Sequence, residues 1–301
     1  MKRLTILLLA LCCAASCGRR HAPATEHPAP ALFRPAALPS SLPASERAEY
    51  LRTHYWDTFD FADTLFIARA DTLHMLDAFA SYVALGADSV AMADLVRRAS
   101  VSRPMLDYFG MLAERVLHDP NSPLRDEERY IPVLRGKLAS PWYDALERLG
   151  PETELRLALR NRVGEQAGDF RCTLASGATT RLYDLRADYT LLLLTDPECP
   201  MCRRTTEELL ASPRLNELAE RGTLRILTLY SGEDTAAWRR SLSHAPRGWL
   251  HACDAACTVR DEGIYDLRAL PALYLLDREK RVLVKDSADP AEIEEALDRD
   301  A

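Results

Sequence analysis

Two cysteines three positions apart, Cys199 and Cys202, are the side chains of this sequence best suited to chemistry. They follow the continuous apolar run 191–194, which is typical of a strand buried on both faces, and a helical pattern begins at Cys202. A thiolate is the attacking group in disulfide exchange, and backbone N–H groups at a helix N-terminus lower the pKa of a thiol placed there. The spacing also lets the second thiol attack the first sulfur and resolve a mixed disulfide. The pair therefore predicts thiol–disulfide exchange, a reaction that needs no cofactor.

The elements that position this pair alternate between strands and helices from residue 163 onward. A hairpin is predicted around Gly177, because the segments on both sides of it alternate in hydrophobicity. The later segments are predicted as strand 190–195, helix 202–221, strand 224–230, a helix around Trp238, strand 249–251, a hairpin of strands 273–276 and 282–284, and helix 290–299. This order predicts an α/β domain with a central mixed sheet flanked by helices and an extra N-terminal β-hairpin.

The region 44–162 has helical periodicity instead. Met75, Phe79 and Val83 recur at the spacing of one helix face, and the same pattern returns after the turn signal at 118–123. A small all-helical domain is therefore predicted to precede the α/β domain, which begins at residue 163.

A proline at the head of a hydrophobic strand is a second chemical signal. Pro271 directly precedes the run 272–276, where a proline cannot be a routine member of the sheet ladder. A strand, a C-x-x-C at the start of a helix and a later strand opened by proline together resemble the thioredoxin superfamily. The resemblance implies that the Leu270–Pro271 bond is cis and faces the cysteine pair, and that the backbone of Leu270 pairs with an extended segment of a client protein.

The extra hairpin and the stretch 183–200 resemble the membrane-tethered TlpA-like branch of that superfamily. The full chain resembles lipoproteins that join such a module to an N-terminal helical domain of unknown function. The segments that carry this resemblance are 55–57, 119–125, 161–162 and 273–277. It supplies no activity for the helical domain.

The residues around the cysteine pair depart from the superfamily pattern. Glu198 stands where thioredoxins usually carry tryptophan, and Asp196 lies close by in sequence. These carboxylates oppose thiolate formation, whereas Arg203 and Arg204 favour it. The four leucines before the motif also leave no counterpart for the buried acid of some thioredoxins. The direction of electron flow therefore stays open between reductase and oxidant.

The first 43 residues predict export and a lipid anchor. Lys2 and Arg3 precede a short apolar run, and small residues lead directly into Cys17, as in a bacterial lipobox. We expect residues 1–16 to be a signal peptide, Cys17 to be lipidated, and the Pro/Ala-rich segment 17–43 to be a disordered tether. A periplasm-facing, membrane-anchored protein is then expected, with disulfide-containing exported clients and a membrane thiol electron donor as partners.

The overall charge speaks against one class of partner. The chain has 45 acidic and 38 basic residues, a formal net charge of −7, and no basic stripe of the kind that nucleic-acid binding requires. No nucleic-acid partner is expected.

The remaining cysteines leave alternatives open. Cys253 and Cys257 could share one helix face and form a second redox pair, or they could be structural. With His244 or His251 they could also imitate a copper site, and both cysteine pairs together could bind zinc, although we expect no metal. Cys172 lies in a predicted strand and is interpreted as structural.

Two further functions are compatible with parts of this sequence. A thiol peroxidase of this fold carries proline and threonine where this sequence has Leu192 and Asp196, which argues against that activity. The other alternative is a non-catalytic envelope scaffold in which the thioredoxin-like domain is passive, and the intact C-x-x-C argues against it.

Overall fold

The computed structural model describes residues 31–300. The predictions of a signal peptide, of lipidation at Cys17 and of a tether up to residue 30 therefore lie outside the described residues. Within the described range, no helix combines the length and the apolar character that crossing a membrane requires.

The N-terminal half is helical, as its periodicity predicts. Its helices are α1 (Arg47–His54), α2 (Leu65–Arg69), α3 (Thr72–Ala84), α4 (Ser89–Ala99), α5 (Arg103–Ala113), α6 (Glu127–Ala139) and α7 (Ala145–Ala158), and a π-helical turn, Glu114–His118, continues α5. Several begin at an acidic or hydroxyl side chain that accepts hydrogen bonds from the first backbone N–H groups: Asp71, Asp88, Ser102, Asp126 and Asp144. Local capping thus fixes where these helices start.

An aromatic cluster forms part of the helical core and includes a residue from the predicted tether. Phe33 is 5% exposed and stacks on Trp56 with ring centroids 4.6 Å apart. The backbone N–H of Ala31 donates to the carbonyl of Arg69 at 2.9 Å. The prediction of a disordered tether up to residue 43 is therefore wrong around Phe33, because burying this ring against Trp56 favours an ordered segment.

The C-terminal half contains one seven-stranded mixed sheet in the order β2-β1-β5-β4-β3-β6-β7. The strands are β1 (Arg171–Leu174), β2 (Thr179–Arg181), β3 (Tyr189–Leu194), β4 (Leu224–Tyr230), β5 (Leu250–Cys253), β6 (Ala272–Leu276) and β7 (Val282–Ser287). β3, β4 and β5 are parallel neighbours, while β6 and β7 continue the sheet antiparallel on one side and the β1–β2 hairpin extends it on the other. This confirms the predicted mixed sheet and its extra hairpin.

Five helices accompany the sheet: α8 (Pro200–Ala211), α9 (Pro213–Glu220), α10 (Thr235–Ser241), α11 (Thr258–Asp261) and α12 (Pro290–Asp300). The single helix predicted over 202–221 is in fact two. Ser212 adopts an extended backbone and its hydroxyl caps α9, and Pro213, which has no N–H, occupies the first turn of that helix. The break therefore follows from the residues at 212 and 213.

The apolar run in β3 explains the position of the cysteine pair. Leu191 and Leu193 pack into the core on one face of the sheet, and Leu192 and Leu194 pack into the core on the other. A strand that is buried on both faces has a fixed position, so the chain that leaves it is delivered to one point at the edge of the sheet. Cys199 lies a few residues beyond that point.

Buried polar contacts join the helical half to the sheet. The side-chain amide of Asn161 donates to the carbonyl of Ile264 and accepts from the N–H of Gly168, both at 2.7 Å. Lys285 of β7 donates to the carbonyl of Ala158, the last residue of α7, at 2.8 Å. These contacts satisfy backbone groups on both sides of the junction.

Candidate functional site

Cys199 is the N-cap of α8, and its sulfur lies at the helix N-terminus. The backbone N–H of Cys202 donates to the Cys199 sulfur at 3.1 Å. Pro200 occupies the first helical position, where its missing N–H costs no intrahelical bond. Cys199 therefore presents its sulfur at a partly exposed helix N-terminus, a position typical of attacking cysteines.

Cys202 differs from Cys199 in exposure and acidity. It is 1% exposed, whereas Cys199 is partly exposed. Burial, followed by the hydrogen bond with Cys199, raises the pKa of the Cys202 thiol to about 12. At neutral pH Cys202 is therefore a protonated, inaccessible thiol, which suits a resolving cysteine better than an attacking one.

The structure brings the cysteine pair and the predicted proline together. The Leu270–Pro271 peptide bond is cis, as the resemblance implied. The Cys199 thiol lies 3.6 Å from the carbonyl oxygen of Leu270, to which it donates. Ala272, which follows Pro271, pairs with Leu194 at the end of β3. This register places the Leu270–Pro271 segment beside the loop that runs from β3 to Cys199.

A groove of about 490 Å³ opens next to this segment. Leu270 forms one wall, and Tyr230 stands at the end of β4. Among the charged residues that line it, Asp196, Glu233 and Asp234 are acidic and Arg260 is basic; the Arg260 guanidinium lies 3.4 Å from Glu233. The groove therefore has an acidic lining and borders the backbone that is predicted to bind a client.

The other described cysteines do not form a second pair of the predicted geometry. Cys253 ends β5, and Cys257 has a left-handed backbone with φ of 53° in the turn before α11, so the two do not share a helix face. Cys172 is buried on β1, and burial raises its pKa to about 11. Cys172, Cys253 and Cys257 are all free thiols.

One of the two histidines considered for a copper site already has partners at both ring nitrogens. His251 has both ring nitrogens engaged, one with the hydroxyl of Thr228 at 2.8 Å and the other with the carbonyl of Pro246 at 2.8 Å. These bonds hold the ring within the sheet region. His251 is therefore a satisfied structural histidine.

Alkylation distinguishes the roles of the five described cysteines. At pH 7 we expect iodoacetamide to modify Cys199 at least about tenfold faster than Cys202, because burial and a raised pKa both suppress the Cys202 thiolate. Peptide mapping by mass spectrometry gives the site and rate of modification. The Cys202 rate should rise as the pH is raised towards the pKa of this thiol, because its thiolate fraction rises with pH.

Unfolded protein serves as the control for this experiment. In denaturant all five described cysteines should react at similar rates, because burial no longer separates them. If Cys202 reacted as fast as Cys199 in the folded protein, the assignment of their roles would be wrong.

No sequence pattern predicts a group of charged residues that meets at the junction between the helical half and the sheet, close to the segment that ends at Leu270. Arg125, Glu127, Asp266, Arg268 and Asp286 come together there from distant parts of the chain. Isolated charged residues give no periodic or spacing signal, so only the fold reveals the group.

Comparison with known proteins defines the family. A family model described as a domain of unknown function (DUF5106) matches residues 17–161. The crystal structure of a thioredoxin-like protein from Bacteroides caccae is 37% identical to this chain, with a TM-score of 0.81, and the match covers 88% of this chain and 98% of that one. The chain therefore belongs to the thioredoxin-like proteins that carry this N-terminal domain of unknown function.

Two further structures match a smaller part of the chain. The C-terminal domain of an uncharacterized protein from Bacteroides fragilis is 36% identical, with a TM-score of 0.45, and covers 46% of this chain and 98% of its own. A conserved protein of unknown function from the same species is 34% identical, with a TM-score of 0.44, over 45% of this chain and 98% of its own. No curated protein matches the chain.

Proposed function

We propose that this chain is a thiol–disulfide oxidoreductase that exchanges disulfides with client proteins through Cys199 and Cys202. The position of the Cys199 sulfur carries the proposal. It lies 3.1 Å from the backbone nitrogen of Cys202 and 3.6 Å from the carbonyl oxygen of Leu270, at a partly exposed helix N-terminus. This placement combines an accessible thiol at a helix N-terminus, a second thiol that can resolve a mixed disulfide, and a backbone segment along which a client can bind.

The first step forms a mixed disulfide. The Cys199 thiolate attacks one sulfur of the client disulfide, the client S–S bond breaks, and the second client sulfur leaves as a thiolate that takes up a proton. Leu270 and Pro271 orient the client segment that carries the attacked sulfur. Attack requires an approach to Cys199 from solvent, and the partial exposure of this residue provides it.

The second step releases the client. Cys202 loses its proton and attacks the Cys199 sulfur, which expels the client sulfur as a thiolate and leaves a Cys199–Cys202 disulfide. The client has gained two electrons and the cysteine pair has lost two. Burial first and a side-chain hydrogen bond with Cys199 second raise the pKa of Cys202, and a mixed disulfide at Cys199 would remove the second of these causes.

A membrane thiol electron donor then reduces the pair again in our proposal, and the clients are exported proteins. Tethering through a lipidated Cys17 would hold the domain in the cell envelope, facing the periplasm. The basic residues, apolar run and small residues that precede Cys17 support this arrangement.

The experiment that tests the function is client capture in cells. Changing Cys202→Ser should accumulate covalent complexes through Cys199, because the second step is blocked while the first proceeds. The complexes are detected by non-reducing electrophoresis of the membrane fraction and identified by mass spectrometry. They should disappear when Cys199→Ser is added.

Three outcomes would each contradict a part of the proposal. Complexes that persist in the double variant would assign the attack to another thiol, and complete absence of complexes would count against client exchange. Recovery of the complexes from the soluble fraction alone would contradict the tether.

A further inference from the structure

Buried charges join the helical half to β7, next to the segment that leads into Pro271. Arg125, which precedes α6, pairs with Asp286 of β7, whose side chain is only 7% exposed. The Arg125 guanidinium also donates to the backbone carbonyl of Asp286 at 3.3 Å. Lys285 forms a second pair across the junction, with its amine 2.7 Å from Glu127 of α6.

Three carboxylates converge at this junction. Oxygens of Glu127, Asp266 and Asp286 all lie within 4.8 Å of one another. Like charges this close in a buried place destabilise the fold unless cations neutralise them. Lys285, Arg268 and Arg125 provide the three cations, and each pairs with one of the carboxylates.

Asp266 sets the shape of the segment that leads to Leu270. Its carboxylate accepts a hydrogen bond from the backbone N–H of Arg268 at 3.0 Å, and the Arg268 guanidinium binds the same carboxylate at 2.6 Å. This closes a tight turn two residues before Leu270. Arg125 contributes to the low pKa of Asp266, after the hydrogen bonds from Arg268.

Removal of Arg125 would end the ion pair through which the helical half holds Asp286, and burial would then favour the protonated form of this carboxyl. Arg125 also stabilises the charged form of Asp266, so the same change would weaken the electrostatic support of the turn that Asp266 forms with Arg268. Both losses would loosen the segment that carries Leu270. Burial raises the pKa of Asp286 to about 7 although Arg125 opposes this, in agreement with a carboxylate that depends on its cation.

From these contacts we infer that Arg125 is a positioning residue for disulfide exchange, through which the helical domain holds the Asp266–Leu270 segment beside Cys199. This inference rests on the proposed function, since the segment matters only if clients bind along it. It gives the domain of unknown function a role: it fixes the backbone edge that binds the client. Arg125 itself does not touch the reacting sulfurs.

Two disulfide probes of different size test this positioning role. A pair of short extended peptides joined by a disulfide must bind along the backbone of Leu270 before it reacts. Dithiodipyridine is small and needs only an accessible Cys199. The second-order rate constant of the reduced full chain is measured with each probe. The rate constant for the peptide disulfide divided by that for dithiodipyridine is the peptide-to-dithiodipyridine ratio. A change in that ratio reports on the backbone of Leu270 only in protein that circular dichroism shows to be folded, because unfolding exposes the buried cysteines to the small probe and would lower the ratio by itself.

Arg125→Met should lower the peptide-to-dithiodipyridine ratio about tenfold, a size typical of coupling between neighbouring elements. Arg125→Lys keeps the charge but not the planar fork and should lower the ratio by about threefold. Arg162→Met is the matched control: Arg162 binds Glu128 through two bonds of 2.6–2.7 Å at the same junction, but does not contact the 266–270 segment, so the ratio should stay unchanged.

The outcomes separate this inference from the function itself. A wild-type protein that reduces neither probe would refute disulfide exchange. A wild-type protein that reduces both, with an unchanged ratio in Arg125→Met and Arg125→Lys, would overturn the positioning role alone. If Arg125→Met does not fold, Arg125→Lys decides, with thermal melting monitored by circular dichroism as the check that it is folded.

Discussion

Replacing Cys199 with serine should lower the rate of peptide-disulfide reduction by about 10³-fold or more. A hydroxyl is far less acidic than a thiol and scarcely attacks sulfur at neutral pH, so the first step loses its nucleophile. Cys202 cannot substitute, because it is buried and its pKa is raised to about 12. The measurement is the initial rate of peptide thiol release by the reduced protein.

Cys172→Ser is the matched control for this loss. Cys172 is buried on β1 with a pKa raised to about 11, and it lies outside the cysteine loop. Its replacement should leave the rate of reduction within about twofold of wild type, as expected for a residue distant from the reaction. A rate that survives in Cys199→Ser would show that a different thiol performs the attack.

Asn161→Ala should lower the free energy of unfolding by about 2–4 kcal/mol. The Asn161 side chain is 5% exposed and satisfies the carbonyl of Ile264 and the N–H of Gly168, each at 2.7 Å. Alanine leaves both backbone groups without this partner, at about 1 kcal/mol each, the low end of the cost of an unpaired buried group, because Gly168 is only half-buried. Asn161 also has a φ of 51°, a region that alanine disfavours by about 1 kcal/mol. Urea denaturation measures the loss.

Asn161→Gly separates the two causes. Glycine tolerates the positive φ but makes neither hydrogen bond, so it should be about 1 kcal/mol more stable than Asn161→Ala and still clearly less stable than wild type. If both variants unfolded at the wild-type urea concentration, the amide of Asn161 would not be a significant link between the helical half and the sheet.

Sequence patterns predict those site residues that are marked by their immediate neighbours in the chain. Cys199 and Cys202 are marked by their spacing and by the apolar run before them, and Pro271 by its place at the head of a strand. The four leucines of β3 predict a strand buried on both faces because no polar residue interrupts them. The structure confirms the cis peptide at Leu270–Pro271 and the position of the pair at the start of α8.

Features that depend on residues far apart in the chain were not predictable in the same way. Phe33 is a single aromatic residue in a Pro/Ala-rich segment, and only the pocket beside Trp56 explains its burial. The C-x3-C spacing of Cys253 and Cys257 is compatible with a helix, but a strand end and a left-handed turn occupy those positions. The charges around Arg125 meet only because the two halves of the chain pack together.

The structure shows how the helical half contacts the sheet, which the sequence does not. The family model for the N-terminal domain carries no function, and the sequence supplies none. We infer that the contact of Arg125 with Asp286, together with the nearby turn that Asp266 forms with Arg268, connects that domain to the segment beside Cys199. This connection is physical and local, so single substitutions can test it.

Intact-mass spectrometry after mixing with a peptide disulfide tests the central claim most directly. The reduced wild-type protein should lose two hydrogen atoms as the Cys199–Cys202 disulfide forms, and both peptides should appear as free thiols. The Cys202→Ser variant should instead keep one peptide attached to Cys199. A wild-type protein whose mass does not change, or a peptide attached to another cysteine, would contradict disulfide exchange through this pair.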